Sequence, residues 1–152
     1  MMKKIFPIAF LLLFSNILFA QIQNPVEWTA TSKKISDKVY EIHLTANLDK
    51  GWHIYSQTTP EGGPFPTSIS FIKNPLIIVD GKVKELGKME KHVEPLFGGI
   101  DVRQFSNTVD FVQVVKLKTP VKTSVNVDVE YEVCNDKQCL PPITKKFSVA
   151  LK

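Results

Sequence analysis

Between Val125 and Val133 every second residue is apolar: Val125, Val127, Val129, Tyr131 and Val133 alternate with Asn126, Asp128, Glu130 and Glu132. A strand sends successive side chains to opposite faces, whereas a helix would scatter these residues around its circumference. The segment is therefore a strand with one face toward a core. The same period recurs in Tyr40, Ile42, Leu44, Ala46 and Leu48, with Glu41, His43, Thr45 and Asn47 on the other face, and Trp52 and Ile54 continue it after Gly51. Phe147, Val149 and Leu151 repeat it near the C-terminus. From Val109 to Leu117 the apolar residues run together as Phe111, Val112, Val114 and Val115, which suits a central strand partly covered on both faces. Leu76–Val79 and Lys82–Leu86 flank Asp80-Gly81, a dipeptide that accepts the positive φ of a tight turn, and this predicts a hairpin. No long window keeps the three-and-four spacing of an amphipathic helix. Seven or so short strands in about 130 residues point to an all-β fold, a β-sandwich, with a β-barrel as the alternative closure.

The first twenty residues stand apart from this pattern. Lys3 and Lys4 precede an apolar run, Ile5 to Leu13, that continues to Phe19, and Ala20 is the small residue a signal peptidase requires before its cut. Residues 1–20 read as a signal peptide and residues 21–152 as one domain; the competing reading is a retained N-terminal anchor. No later stretch approaches the roughly 20 apolar residues of a membrane helix, so no membrane span is expected in the mature chain. Without Lys3 and Lys4 the net charge of +4 falls to +2. That near balance, with Lys33, Lys50, Lys82, Lys116 and Lys137 scattered, excludes the basic stripe of a nucleic-acid partner.

Pro60-Glu61-Gly62-Gly63-Pro64-Phe65-Pro66 cannot supply a ladder of backbone donors and reads as an ordered surface loop. It either carries the chain between sheets or carries function. The two cysteines, Cys134 and Cys139, follow the most regular strand. In an exported chain such a pair can persist as a disulfide. A ring this short contributes only about 2 kcal/mol in the chain-entropy model, a weak reason to keep it, so an inert clip stands beside a redox-active pair in which one thiolate attacks a partner and the other resolves the mixed disulfide. Pro141 and Pro142 stiffen the exit of the loop. A soft-metal site built with His43, His53 or His92 is the third option, but the spacing is not that of a usual zinc site, and neither a metal nor a cofactor is expected.

Cys134-Asn135-Asp136-Lys137-Gln138-Cys139-Leu140-Pro141-Pro142, between two final strands, resembles the active-site loop of the N-terminal periplasmic domain of the thiol:disulfide interchange protein DsbD family. Gly51-Trp52-His53-Ile54-Tyr55 resembles an aromatic strand of that domain, Gly62-Gly63-Pro64-Phe65-Pro66-Thr67 is similar to one of its loops, and Glu94-Pro95-Leu96-Phe97-Gly98 falls where the family has a cap loop. The resemblance implies an immunoglobulin-like sandwich in the periplasm, or a secreted one in a single-membrane host. Its activity would be protein-disulfide reduction by thiol-disulfide exchange with thioredoxin-like partners. It also implies that Cys139 forms the mixed disulfide, that Cys134 resolves it, and that Leu96 and Phe97 shield the pair over His53 and Tyr55. Better-known members have one more residue between the cysteines, and an acidic residue and a phenylalanine where Pro95 and Leu96 stand here. Because the sequence ends at Lys152, the expected electron donor is a separate DsbD-like membrane protein. The reading from another class is a non-catalytic cell-envelope binding module with a structural disulfide.

Overall fold

Period-two alternation commits a chain to strands, and the computed structural model, which describes residues 24–152, pairs them into two antiparallel sheets. The predicted signal peptide lies outside the described residues. The strands are β1 (Val26–Ser36), β2 (Val39–Leu48), β3 (His53–Tyr55), β4 (Ser68–Phe71), β5 (Ile77–Glu94), β6 (Ile100–Leu117), β7 (Thr123–Tyr131), β8 (Val133–Cys134) and β9 (Ile143–Leu151). One sheet runs β1-β2-β6-β3-β8 with β5 also on β6; the other is β4-β7-β9. Among the described residues no ladder joins the two sheets. The fold is thus an immunoglobulin-like β-sandwich and not a closed barrel.

The faces follow the alternation. Tyr40, Ile42, Leu44 and Ala46 of β2, Phe105, Val109, Phe111 and Val115 of β6, and Val125, Val127, Val129 and Tyr131 of β7 are all buried in one core. Trp28 packs among Phe111, Tyr131 and Phe147 with ring centroids 5.8, 5.2 and 6.4 Å away. Burying such side chains contributes about 1.5–3 kcal/mol each, and here the two sheets supply them to each other.

β6 is the spine, and it reaches well beyond the Val109–Leu117 segment expected from the sequence. Its second half pairs with β2 (Asn47↔Thr108 to Val39↔Lys116) and its first half with β3 (His53↔Ser106 to Tyr55↔Gln104), so β2 and β3 lie end to end along one edge. The partner changes at Asn107, whose φ is 66°. Opposite this bulge sits Gly87, where an added Cβ would come within 3.0 Å of the Thr108 carbonyl oxygen. Beyond it β6 carries β3, and β3 in turn carries β8.

The hairpin predicted at Asp80-Gly81 does not form. β5 passes through this dipeptide as one strand with a register shift between Asp80↔Val114 and Lys84↔Val112. Gly81 takes a φ of 75° within that bulge, so the local preference is real but serves a bulge. The cause is long-range: β6 runs as one strand on both sides of it, and buried Gln113 donates its amide to the carbonyls of Asp80 (2.7 Å) and Val114 (2.9 Å) at the bulge.

Candidate functional site

The strand that holds Tyr131 in one sheet delivers Cys134 to the other. β7 belongs to the β4-β7-β9 sheet, whereas β8 pairs with β3 (Ile54↔Val133, His53↔Cys134). Glu132 is the corner residue between them, and the strict alternation breaks at this point: Tyr131, Val133 and Cys134 are all buried. Beyond Cys134 the chain reverses in a tight turn. The Asn135 carboxamide oxygen accepts the N–H groups of Lys137 and Gln138, each at 2.9 Å, the way a short polar side chain favours a turn. Asn135 N–H donates to Gln138 C=O (2.8 Å) and Leu140 N–H to Val133 C=O (2.9 Å). This frame sets Cys139 against Cys134, and the two sulfurs are bonded, 2.02 Å apart. Cys134 is 1 % exposed, while Cys139 is exposed.

The disulfide lies in an open cleft of about 750 Å³ that brings together elements far apart in sequence. His53 and Tyr55 come from β3, Val102 and Gln104 from β6, His92 and Glu94 from β5, Phe97 from the short 3₁₀ turn Pro95–Phe97, and Gly63, Pro64 and Phe65 from the Pro/Gly loop. That loop leaves the first sheet after β3 and enters the second at β4, so it bridges the sheets and lines the cleft as well. Its base is closed by Thr67, whose N–H and hydroxyl both donate to the Tyr55 carbonyl (3.2 and 2.6 Å). Glu85 braces the outgoing side, accepting from the Ser56 hydroxyl (2.6 Å) and Gln57 N–H (2.8 Å). Tyr55, Val102 and Cys134 form a small buried cluster separate from the main core.

Two titratable groups sit beside the sulfurs. The Tyr55 hydroxyl is 3.2 Å from His53 Nε2, with the rings edge to face. Burial, with help from the Glu132 and Glu94 carboxylates, pushes the phenol up to about 12. Burial also holds the His53 imidazole below its ordinary range; the Asp136 carboxylate works against this, His92 adds to the lowering and Glu90 opposes it. Both groups are neutral near pH 7, which leaves the paired sulfurs next to a Tyr–His contact that carries no charge of its own.

Of the residues singled out from the sequence, Cys134, Cys139, His53, Tyr55, Phe97 and Pro142 all line this cleft. Pro141 does not; it is exposed behind the turn. Leu96 lies in the 3₁₀ turn, and its side chain lies outside the described residues. His43, far from the cysteines, spends its Nδ1 on Asp110 (2.7 Å). Sequence reasoning passed over Val102 and Gln104, quoted Asn135 only as part of the cysteine loop, and gave Glu132 no place in the site. Asn135 carried a usable signal, a turn-favouring residue directly after a strand, whereas Val102 and Gln104 reach the site only through the pairing of β6.

The fold and the cleft define a class: an immunoglobulin-like domain carrying one accessible disulfide at its end. The N-terminal domain family of the thiol:disulfide interchange protein DsbD matches residues 22–151, and the chain belongs to it. Among solved structures, the reduced N-terminal domain of Neisseria meningitidis DsbD is similar at a TM-score of 0.52 and 12 % identity, over 81 % of this chain and 84 % of that one. The N-terminal periplasmic domain of ScsB from Proteus mirabilis is similar at 0.51 and 19 % identity, over 83 % of this chain and 44 % of that one. No curated protein sequence matches the chain.

Proposed function

We propose that this domain is an exported thiol-disulfide exchange module of the cell envelope that passes reducing equivalents between thioredoxin-like partners through Cys134 and Cys139. The observation that carries the reading is the asymmetry of the bond: Cys134 is buried, and Cys139 is exposed at the rim of a cleft. Exchange requires a thiolate to approach one sulfur along the S–S axis, and Cys139 is the sulfur open to approach. A partner thiolate attacks Cys139 Sγ and Cys134 Sγ leaves as thiolate and takes a proton. The partner's second thiolate then attacks its own sulfur in the mixed disulfide and releases Cys139. The partner ends as a disulfide and the domain as a dithiol, a transfer of two electrons. With an oxidised client the steps reverse, Cys139 attacking and Cys134 resolving. Family membership and the leader-like residues 1–20 support placement in the periplasm.

Leu96 and Phe97 would act as the cap over the pair in this scheme. Phe97 lines the cleft and is 41 % exposed, an apolar ring at the mouth that a docking partner can displace. Leu96→Ala with Phe97→Ala is expected to speed alkylation of the reduced thiols, and an unchanged rate would remove the cap from the scheme. The roles of the cysteines are tested by trapping. Cys134→Ser, which keeps Cys139, should capture a thioredoxin-like partner with a single active-site cysteine as a covalent complex, and Cys139→Ser should capture it poorly. Equal capture would refute the roles. Capture by neither would favour a non-catalytic binding module with a structural disulfide.

A further inference from the structure

Cys134 has three neighbours with metal-ligating or proton-handling side chains, and each reaches it by a different route. Cys139 faces it across the turn, Glu132 stands two residues back along the chain, and His53 faces it across the β3–β8 ladder. The two sulfurs and a carboxylate oxygen of Glu132 all lie within 4.8 Å of one another. His53 is engaged by the Tyr55 hydroxyl at 3.2 Å.

We propose that, once the disulfide is reduced, Cys134, Cys139 and Glu132 bind a thiophilic tetrahedral cation of the zinc class, with the fourth position left to solvent. Zinc–sulfur bonds of about 2.3 Å and zinc–oxygen bonds of about 2.0–2.2 Å place tetrahedral ligands roughly 3.3–3.8 Å apart. The three donor atoms lie within 4.8 Å of one another, so side-chain rotation alone spans the difference. The sulfurs must separate from 2.02 Å, and the exposed Cys139 side chain can swing while the bonds Asn135 N–H to Gln138 C=O and Leu140 N–H to Val133 C=O keep the turn closed. The open cleft admits the ion on the Cys139 side. Two thiolates suit a soft or borderline cation, and one carboxylate with an open position suits zinc better than a hard oxygen-seeking ion.

Binding releases the two thiol protons and involves no electron transfer: dithiol plus Zn²⁺ gives the dithiolate complex plus two H⁺. Affinity therefore falls as pH falls. The ion binds the dithiol and has no site on the disulfide, so it holds the pair reduced and withholds both nucleophiles from a partner.

The test takes the exported chain, reduces it chemically with a phosphine and removes the reductant without oxygen. Zn²⁺ is then titrated in competition with a chromophoric chelator, and Co²⁺ serves as the spectroscopic probe. One Zn²⁺ per reduced chain is expected, with none on the oxidised chain, together with sulfur-to-cobalt charge transfer and the strong visible bands of tetrahedral Co²⁺. Glu132→Gln should weaken Zn²⁺ binding by about tenfold or more, since losing even an outer-shell partner costs about 10–100-fold. Glu132→Asp should recover part of it, and Cys134→Ser should abolish it. Failure of the reduced wild-type chain to bind Zn²⁺, or Glu132→Gln binding as tightly as wild type while retaining its circular dichroism spectrum, overturns the site. Because reduction is chemical, the result does not depend on whether a thioredoxin-like partner is ever trapped.

Discussion

The middle of the sandwich and the end that carries the cysteines bury their side chains in different ways. In the middle, alternate residues of β2, β6 and β7, such as Ile42 and Leu44, Val109 and Phe111, and Val127 and Val129, share one core between the two sheets. At the cysteine end Tyr55, Val102 and Cys134 form a separate small buried cluster, and Val93 on the nearby stretch of β5 is 65 % exposed. The two regions meet where β6 changes partner at Asn107 and its register with β5 shifts after Gly87. On one side of that point β6 pairs with β2, and on the other it pairs with β3, where Phe105 and Ile54 still join the main core while Val102 turns to the cleft. A thinly covered end can open without unfolding the rest, because local stability follows the density of buried apolar contact. That is what a buried Cys134 needs if it is to resolve a mixed disulfide.

The largest effect expected from this contrast is in the middle. Phe111→Ala should cost about 3–5 kcal/mol, the range for truncating a buried aromatic, and Val102→Ala only about 1.5 kcal/mol for two lost methyl-sized groups. Denaturant melts of both variants check it, and a Val102 cost equal to that of Phe111 would erase the distinction. Val102→Ala should also raise the rate at which the reduced Cys134 is alkylated, which Phe111→Ala should do only through global unfolding.

Next in size is the bond itself. Cys134→Ala with Cys139→Ala should destabilise the domain by about 2 kcal/mol, the loop entropy of a six-residue ring. The double variant remains folded at room temperature because the main core does not depend on it. Loss of the β circular dichroism signal in that variant would show that the cysteine end supports the sandwich.

The smallest effect near neutral pH, and the sharpest in alkali, concerns two phenols. Tyr55 is held near 12 by burial and the Glu132 and Glu94 carboxylates, against about 10 in an unfolded chain. Between those values the unfolded chain releases a proton that the native chain keeps, so stability falls as pH rises through that window and is unaffected below it. Tyr131, raised by burial in the middle of the sandwich, adds a slope of the same sign. Tyr55→Phe should therefore flatten part of the alkaline loss and leave the part that belongs to Tyr131. Unfolding midpoints from pH 9 to 12 measure it, and an unchanged slope would show that Tyr55 ionises as freely as in the unfolded chain.

The sequence by itself determined the strands β2, β7 and β9, their inward faces and the identity of the cysteine loop, because each rests on near neighbours, whereas β1 and β4 went unread and β5 was read as a hairpin. Period two sorted Tyr40, Ile42 and Leu44 from Glu41 and His43, and the residues around Cys134 and Cys139 carried the family resemblance. The tertiary structure alone decided which strand lies beside which. Asp80-Gly81 has the same positive-φ tolerance in a hairpin or a bulge, and only the long β6 template selects the bulge. Glu132 reads as one more polar residue on an alternating strand until the chain changes sheets there and sets its carboxylate beside both sulfurs. His53 meets Cys134 across 81 residues of chain for the same reason. Local preference is written in a few adjacent residues, whereas register is settled by the burial of whole faces against each other, and that sum is available only to the folded chain.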